Sequence, residues 1–175
     1  MTGLSRTVAL VGMMGAGKSS VGRRLAARLG VGFKDADSEI ELAAGCPISE
    51  IFDRFGESAF RDGERKVIAR LLGDPPHVLA TGGGAFIDAA THARLKESAV
   101  TVWIRAPVDV LLMRVQRRDN RPLLRGGDPR ATLEKLLCER TPVYAQADVT
   151  VESDDGPHSM AVDQIVAALK AREVV

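Results

Sequence analysis

Short apolar runs alternate along this chain with longer segments in which apolar residues recur every three or four positions. The short runs are typical of strands buried on both faces, and the longer segments are typical of helices with one apolar face. Strands are predicted at residues 8–11, 31–34, 78–80, 100–104 and 149–151. Helices are predicted at residues 18–29, 38–44, 48–72 with a break near Gly56, 89–96, 108 to about 117, 130–144 and 160–171. This alternation predicts an α/β fold of three layers, in which a five-stranded parallel sheet lies between helices.

The chain has 175 residues, no internal repeat and no long linker, so we expect a single domain over residues 1–175. One segment differs from the rest: residues 117–128 are basic, contain a glycine pair and lie between two predicted helices. A loop of that length inside a compact domain is typical of a lid or a binding loop. A solvated surface loop is the alternative.

A glycine-rich loop directly after the first predicted strand matches the pattern G-x-x-x-x-G-K-[ST] in full. Its glycines allow successive N–H groups to turn toward one anion, and the following helix adds its positive end. Lys18 is expected to reach the β- and γ-phosphates of a nucleoside triphosphate, and the Ser19 hydroxyl is expected to bind Mg²⁺. The residues predicted to bind the phosphates are Gly12, Met13, Met14, Gly15, Ala16, Gly17, Lys18, Ser19 and Ser20.

Composition excludes several other classes. The net charge of +1 and the aromatic content of 4% argue against a nucleic-acid partner. The cysteines Cys46 and Cys138 lie far apart and are interpreted as reduced thiols. No apolar segment has the length of a signal peptide or a membrane span, so a cytoplasmic protein without a membrane partner is expected. The three histidines show no ligand spacing and are expected at the surface.

Polar residues follow the second and third predicted strands. Asp35 and Asp37 could orient Mg²⁺ and polarise an acceptor hydroxyl, although an aspartate there could also cap a helix. Thr81 occupies the position where many phosphate-loop enzymes carry an aspartate for the metal, which leaves Asp35 as the candidate. The three glycines 82–84 that come next would allow a ligand to approach the backbone closely.

Two arginines have no distinctive signal when each is considered alone. Arg61 lies three residues before Glu64 on a predicted helix, where a solvated ion pair is the simplest interpretation. Arg140 is likewise interpreted first as a solvated helical residue.

In combination and in this order, the motifs resemble the shikimate kinase family over nearly the whole chain. They are the phosphate loop, Asp35-x-Asp37, Phe60-Arg61-x-x-Glu64, Gly82-Gly83-Gly84, Arg121-Pro122-Leu123-Leu124 and Arg140-x-Pro142-x-Tyr144. Two departures are Ser20, where threonine is frequent, and Gly63, which costs about 1 kcal/mol of helix stability relative to alanine. The resemblance implies a phosphate-loop fold similar to nucleoside monophosphate kinases, with a mobile lid. It also implies transfer of the ATP γ-phosphate to the 3-hydroxyl of shikimate, toward chorismate and the aromatic amino acids.

The resemblance further implies a role for each candidate residue. Catalysis would fall to Lys18, Asp37 and the lid residue Arg121. Shikimate would be bound by Asp37, Arg61, Gly82, Gly83, Gly84 and Arg140, the two arginines holding its carboxylate. Adenine would stack on Arg114, with Asp154 and Pro157 closing the other side. Mg²⁺ would be held by Ser19 and Asp35, the acceptor-binding helices would span about 36–65, and the enzyme would be a monomer.

Other functions remain open at this point. A gluconate kinase or a nucleoside monophosphate kinase would have the same architecture, although no second base-binding site is evident. A nucleotide switch would carry a guanine-reading N-K-x-D motif, and the sequence has none. A catalytically silent relative is disfavoured because Lys18, Asp37 and Arg61 are all present.

Overall fold

The computed structural model describes residues 3–117, 127–154 and 156–175. Within these ranges the chain forms five strands and seven α-helices. The strands are β1 (Thr7–Val11), β2 (Phe33–Asp35), β3 (Val78–Ala80), β4 (Ala99–Arg105) and β5 (Val149–Glu152). The helices are α1 (Lys18–Leu29), α2 (Ala36–Ala44), α3 (Ile48–Leu72), α4 (Ala89–Ser98), α5 (Val108–Gln116), α6 (Pro129–Tyr144) and α7 (His158–Ala171).

The five strands form one parallel sheet in the order β2-β3-β1-β4-β5, with helices on both faces, so the predicted fold class is confirmed. Every residue of the central strand β1 is buried, which agrees with its uninterrupted apolar run. β1 pairs with β3 on one side and with β4 on the other. Because the strands are parallel, the segments that follow them leave the sheet at the same edge.

Several predicted boundaries differ from the structure by one or two residues, and at the starts of α2 and α7 the residue in the N-cap position accounts for the difference. Asp35 ends β2 and caps α2, since its Oδ1 accepts a hydrogen bond of 3.3 Å from the Ser38 N–H. The helix therefore begins at Ala36, and Asp37 lies in its first turn rather than in a loop after the strand. Helix α7 begins at His158, two residues earlier than predicted, because Pro157 with φ −64° is suited to a helix start.

Helix α3 confirms the predicted break. Gly56 has φ 85° and ψ 171°, a conformation that interrupts the helix and favours glycine. Gly63 continues as regular helix, so this departure from the family pattern leaves the element intact. A short 3₁₀ helix, Ala85–Ile87, was not predicted.

The predicted lid at 117–128 lies mostly outside the described residues, and Arg121 lies entirely outside them. Of the segment that is described, Asp128 caps α6 by accepting a hydrogen bond of 3.0 Å from the Arg130 N–H. No helix among the described residues is long and apolar enough to cross a membrane.

Asp88 connects the long helix α3 to the start of α4. Its carboxylate accepts hydrogen bonds from Arg65 Nε at 3.0 Å and Arg65 Nη2 at 2.6 Å, and it caps α4 through the Thr91 N–H at 3.1 Å. The bonds from Arg65 are the main cause that lowers the pKa of Asp88 from 3.8 to about 2. Because the folded protein binds this proton less tightly than the unfolded chain does, the ionised carboxylate stabilises the fold.

We expect Asp88→Asn to lower the melting temperature at neutral pH. A depressed pKa contributes stability that is complete above the unfolded value and is lost as the pH falls through the folded value. The difference between wild type and variant should therefore be constant from pH 7 to 5 and narrow as the pH falls below 3.8 toward 2. Thermal unfolding across this pH range measures it. A difference that does not vary with pH would contradict the prediction.

Candidate active site

The loop between β1 and α1 has the backbone conformation that its glycines predict. Gly12, Gly15 and Gly17 have φ values of 144°, 83° and 96°. At Gly12 space is also limiting, because a Cβ there would lie 2.6 Å from the Ile104 carbonyl oxygen. The sheet therefore requires glycine at the point where the loop begins.

Lys18 lies at the first position of α1 and is only 8% exposed. Its Nζ donates hydrogen bonds to the carbonyl oxygens of Gly12, at 2.7 Å, and Met13, at 2.8 Å. Beside it is a cavity of about 280 Å³ whose lining includes three cationic side chains, those of Lys18, Arg114 and Arg117. The positive end of α1 and these charges suit a polyanion.

Ser19 and Asp35 both line this cavity, and each has a side-chain oxygen that could bind a metal ion. The Ser19 hydroxyl donates to Asp35 Oδ2 at 2.6 Å, whereas the Thr81 hydroxyl donates to the Leu10 carbonyl at 2.8 Å. Among the described residues there is no group of three or more histidine, cysteine or acidic side chains that could hold a metal ion. A hydroxyl and a carboxylate fit Mg²⁺, which usually takes one or two protein oxygens and completes its shell with water and phosphate.

A second cavity of about 530 Å³ lies on the other side of Asp35. Its lining combines the apolar side chains of Ile48, Phe52 and Phe60 with charged ones that include Asp37 and Arg61. The residues that line both cavities are Ser19, Asp35, Asp37, Gly82 and Gly83. The two spaces therefore meet at these residues, and a group bound in one can reach a group bound in the other.

The pair of Arg61 and Glu64 is not a solvated ion pair. Arg61 Nη1 contacts Glu64 Oε1 at 2.8 Å, and the Glu64 side chain is buried. Burial raises the pKa of Glu64, while the neighbouring Arg61 opposes that shift. The other carboxylate oxygen, Oε2, is buried without a hydrogen-bond partner among the described residues. A buried carboxylate oxygen without a partner is unusual in a folded protein, and it marks this part of the cavity wall as a candidate polar contact.

Arg140 is also buried, at 8% exposure, and its Nη1 has no hydrogen-bond partner among the described residues. This atom would lie 3.5 Å from a Cβ on Gly83, and a Cβ on Gly84 would overlap the Arg61 guanidinium. The fold thus brings both arginines to residues 82–84, here called the glycine loop. The periodicity of helix α3 or α6 alone predicts neither arginine's location.

Arg114 ties the phosphate loop to the segment after β5. Its Nη1 donates to the carbonyl oxygens of Gly15, at 3.1 Å, and Ala16, at 3.0 Å, and its Nη2 donates to the Asp154 carbonyl. Asp154 and Pro157 are not among the described residues that line the 280 Å³ cavity. Stacking of adenine between Arg114 and these two residues stays a prediction.

Sequence reasoning missed His158 and misplaced His77. His158 lines the 280 Å³ cavity, and its Cε1 would lie 3.1 Å from a Cβ on Gly17. Burial and the nearby Arg114 lower the pKa of His158. His77 is only 3% exposed, so the expectation of a surface residue is wrong for it. A lone histidine carries no spacing signal that could have indicated either location.

The parallel sheet, the phosphate loop at its centre and the second cavity that opens onto it define a phosphate-loop phosphotransferase. A family model described as shikimate kinase matches residues 14–170, and the chain belongs to that family. A shikimate kinase of Caulobacter vibrioides is 60% identical over 166 residues, covering 95% of this chain and 83% of that one. One from Nitrobacter winogradskyi is 59% identical over 167 residues, covering 95% and 78%.

A solved structure extends the comparison to the fold. The shikimate kinase from Acinetobacter baumannii, in complex with shikimate, superposes with a TM-score of 0.93 at 38% identity. The match covers 97% of this chain and 96% of that one.

A substitution in the glycine loop tests whether the 530 Å³ cavity binds the phosphate acceptor. In Gly84→Ala the new Cβ would displace the Arg61 guanidinium, which is the movable end of a side chain, so we expect the fold to persist. The acceptor KM should rise about tenfold, the factor that corresponds to one weakened charge-assisted hydrogen bond. Steady-state kinetics and thermal unfolding measure the two effects.

Gly63→Ala is the matched control, because nothing lies within 4 Å of the new methyl group. It should leave the acceptor KM unchanged and raise the free energy of unfolding by about 0.5–1 kcal/mol. Equal acceptor KM values in the two variants would show that Arg61 tolerates the displacement.

Proposed function

We propose that this protein transfers the γ-phosphate of ATP to the 3-hydroxyl of shikimate, giving shikimate 3-phosphate and ADP. The observation that carries the proposal is the junction of the two cavities at Ser19, Asp35, Asp37, Gly82 and Gly83. One cavity suits a polyphosphate, and the other offers carboxylate and guanidinium groups to a small polyhydroxy acid. Membership of the shikimate kinase family supports the same assignment.

On the nucleotide side, the loop N–H groups and Lys18 bind the phosphates. Ser19 and Asp35 hold Mg²⁺, which neutralises charge on the phosphate oxygens when it is bound. The 2.6 Å hydrogen bond between the Ser19 hydroxyl and Asp35 supports Asp35 as the carboxylate for this task. The Thr81 hydroxyl is engaged elsewhere, since it donates to the Leu10 carbonyl. Adenine stacks on the flat face of Arg114, whose in-plane N–H groups are engaged by backbone carbonyls, with Asp154 and Pro157 on the other side of the base.

On the acceptor side, Asp37 accepts a hydrogen bond from the reacting hydroxyl and takes its proton as the bond to phosphorus forms. Its place in the first turn of α2, on the lining of both cavities, supports this role. Arg61 and Arg140 hold the carboxylate of shikimate, and Glu64 fixes the Arg61 guanidinium. The backbone of Gly82, Gly83 and Gly84 lies against the substrate.

The proposal extends to the organisation of the enzyme. Residues 1–175 form one domain, in which helices within about 36–65 bind the acceptor. Residues 117–128 close over the site as a lid and bring Arg121 to the transferred phosphate, which excludes water as a competing acceptor. The enzyme is a cytoplasmic monomer that acts without a nucleic-acid or membrane partner. Length and composition support the single domain, the location and the absence of these partners, and the family resemblance supports the remaining points.

Gluconate is the harder alternative substrate, because it is also a polyhydroxy acid. Family membership and the two arginines at one glycine loop favour shikimate. A nucleoside monophosphate is the other alternative, and membership of the shikimate kinase family argues against it.

A coupled ADP-release assay with shikimate, quinate, gluconate and nucleoside monophosphates tests the function. We expect turnover with shikimate and little with the others. Lys18→Ala should abolish turnover while the protein keeps its melting temperature within a few degrees, because the ammonium neutralises phosphate charge in the transition state. Preference for another acceptor would replace the substrate assignment, and a folded, active Lys18→Ala variant would overturn the kinase mechanism.

Arg61 and Arg140 generate a prediction about the carboxylate. Each charge-assisted hydrogen bond contributes about 1.5–3 kcal/mol. Arg61→Ala and Arg140→Ala should therefore each raise the shikimate KM about ten- to a hundredfold, with the ATP KM nearly unchanged. Arg61→Lys should also be impaired, since an ammonium cannot reproduce the planar two-point contact. Unchanged shikimate KM in both alanine variants would place the carboxylate elsewhere.

A further inference from the structure

Tyr144 contacts both the glycine loop and the phosphate loop through its hydroxyl group. It ends helix α6, is 0% exposed, and donates its hydroxyl hydrogen bond to the Gly83 carbonyl. The same oxygen lies 3.9 Å from Met13 Sδ in the phosphate loop. A single buried hydroxyl therefore contacts the glycine loop of the acceptor cavity and the loop that binds phosphate.

Gly83 is confined between functional groups. A Cβ on Gly83 would lie 3.3 Å from the Met14 N atom and 3.5 Å from Arg140 Nη1. Gly83 lines both cavities, and its neighbours in sequence are glycines, which restrict the backbone least. The exact place of this peptide group thus depends on contacts from outside the loop.

The hydroxyl of Tyr144 is suited to supply such a contact. Its ring stacks on Trp103 of β4, with centroids 5.7 Å apart and an interplanar angle of 30°. Trp103 Cδ1 in turn would lie 3.3 Å from a Cβ on Gly12, at the start of the phosphate loop. Burial raises the pKa of Tyr144, while the neighbouring Arg140 opposes that shift, and the hydroxyl remains a donor at physiological pH.

We propose that Tyr144 is a positioning residue that acts through Gly83, setting the distance between the acceptor and the phosphate loop. The inference rests on the proposed function, since it concerns the placement of shikimate. Without the hydroxyl, the Gly83 carbonyl loses its hydrogen bond and the peptide beside the acceptor cavity can shift. The phosphate loop keeps its hydrogen bonds from Lys18 and Arg114. Small displacements of this kind impair transfer because the reacting atoms must be aligned.

Tyr144→Phe tests the proposal, because it removes only the hydroxyl and keeps the buried ring. We expect the shikimate KM to rise about tenfold and kcat to fall, with the ATP KM changed less than about twofold. Thr141→Val is the matched control. It removes a hydroxyl from the same helix, one that donates to the Leu137 carbonyl at 2.6 Å, and neither cavity includes Thr141 in its lining.

A purely structural role predicts a different result: a lower melting temperature in Tyr144→Phe with both KM values unchanged or raised equally. Either form of that result overturns the proposal. Wild type is assayed in parallel. If wild type phosphorylates shikimate and Tyr144→Phe does so with equal KM and kcat, the inference fails and the proposed function stands. If wild type does not phosphorylate shikimate, the proposed function fails and the inference fails with it.

A second measurement needs no substitution. Tyr144 is the one tyrosine in the chain, so uniform incorporation of 3-fluorotyrosine labels this position alone. We expect saturating shikimate to shift the ¹⁹F resonance of the labelled protein, because the hydroxyl is bonded to a peptide that lines the acceptor cavity. A resonance that does not respond to shikimate overturns the proposal even if Tyr144→Phe fails to fold.

Discussion

The parallel pairing of β1 with β3 is the constraint on which the site depends. Leu10 lies opposite Ala80, and the Leu10 carbonyl accepts hydrogen bonds from the Thr81 N–H, at 3.1 Å, and from its hydroxyl, at 2.8 Å. The phosphate loop begins at Gly12 and the glycine loop at Gly82, so this pairing makes the two loops leave the sheet side by side. The backbone of both loops is thereby held by a central strand in which every residue is buried.

Four helices then position the charged side chains of the candidate site at this edge of the sheet. Lys18 comes from α1, Asp37 from α2, Arg61 from α3 and Arg140 from α6. The burial of charged groups here is unfavourable unless they are paired. Glu64 Oε2 and Arg140 Nη1 are buried without hydrogen-bond partners among the described residues, which is the pattern expected of a pocket wall whose polar groups are completed by a ligand.

The accuracy of the sequence predictions follows the range of the interactions that decide each feature. Strands β1, β3 and β4 were predicted because each is a mostly apolar run buried in the sheet, whereas β2 and β5 are only partly buried and the start of β2 was placed two residues early. The phosphate loop was predicted because its glycines and lysine lie close together, within residues 12–18. The starts of α2 and α7 were placed two residues late, because Asp35 and Pro157 occupy the N-cap positions and each helix begins directly after them. The solvated-pair interpretation of Arg61 failed because its partner Glu64 is covered by neighbours from other elements, which helical periodicity does not encode.

By itself, the sequence determined the α/β class, the phosphate loop and its nucleotide, and the order of motifs that resembles the shikimate kinase family. Local spacing suffices for these, because a strand, a capped helix or a glycine loop is specified by adjacent residues. Only the tertiary structure decided that β3 lies beside β1, that Arg140 reaches Gly83, that His158 reaches Gly17, and that the Tyr144 hydroxyl bonds to Gly83. These contacts join residues distant in the chain, and the order of strands and the packing of helices bring them together, which no periodicity in a single element records.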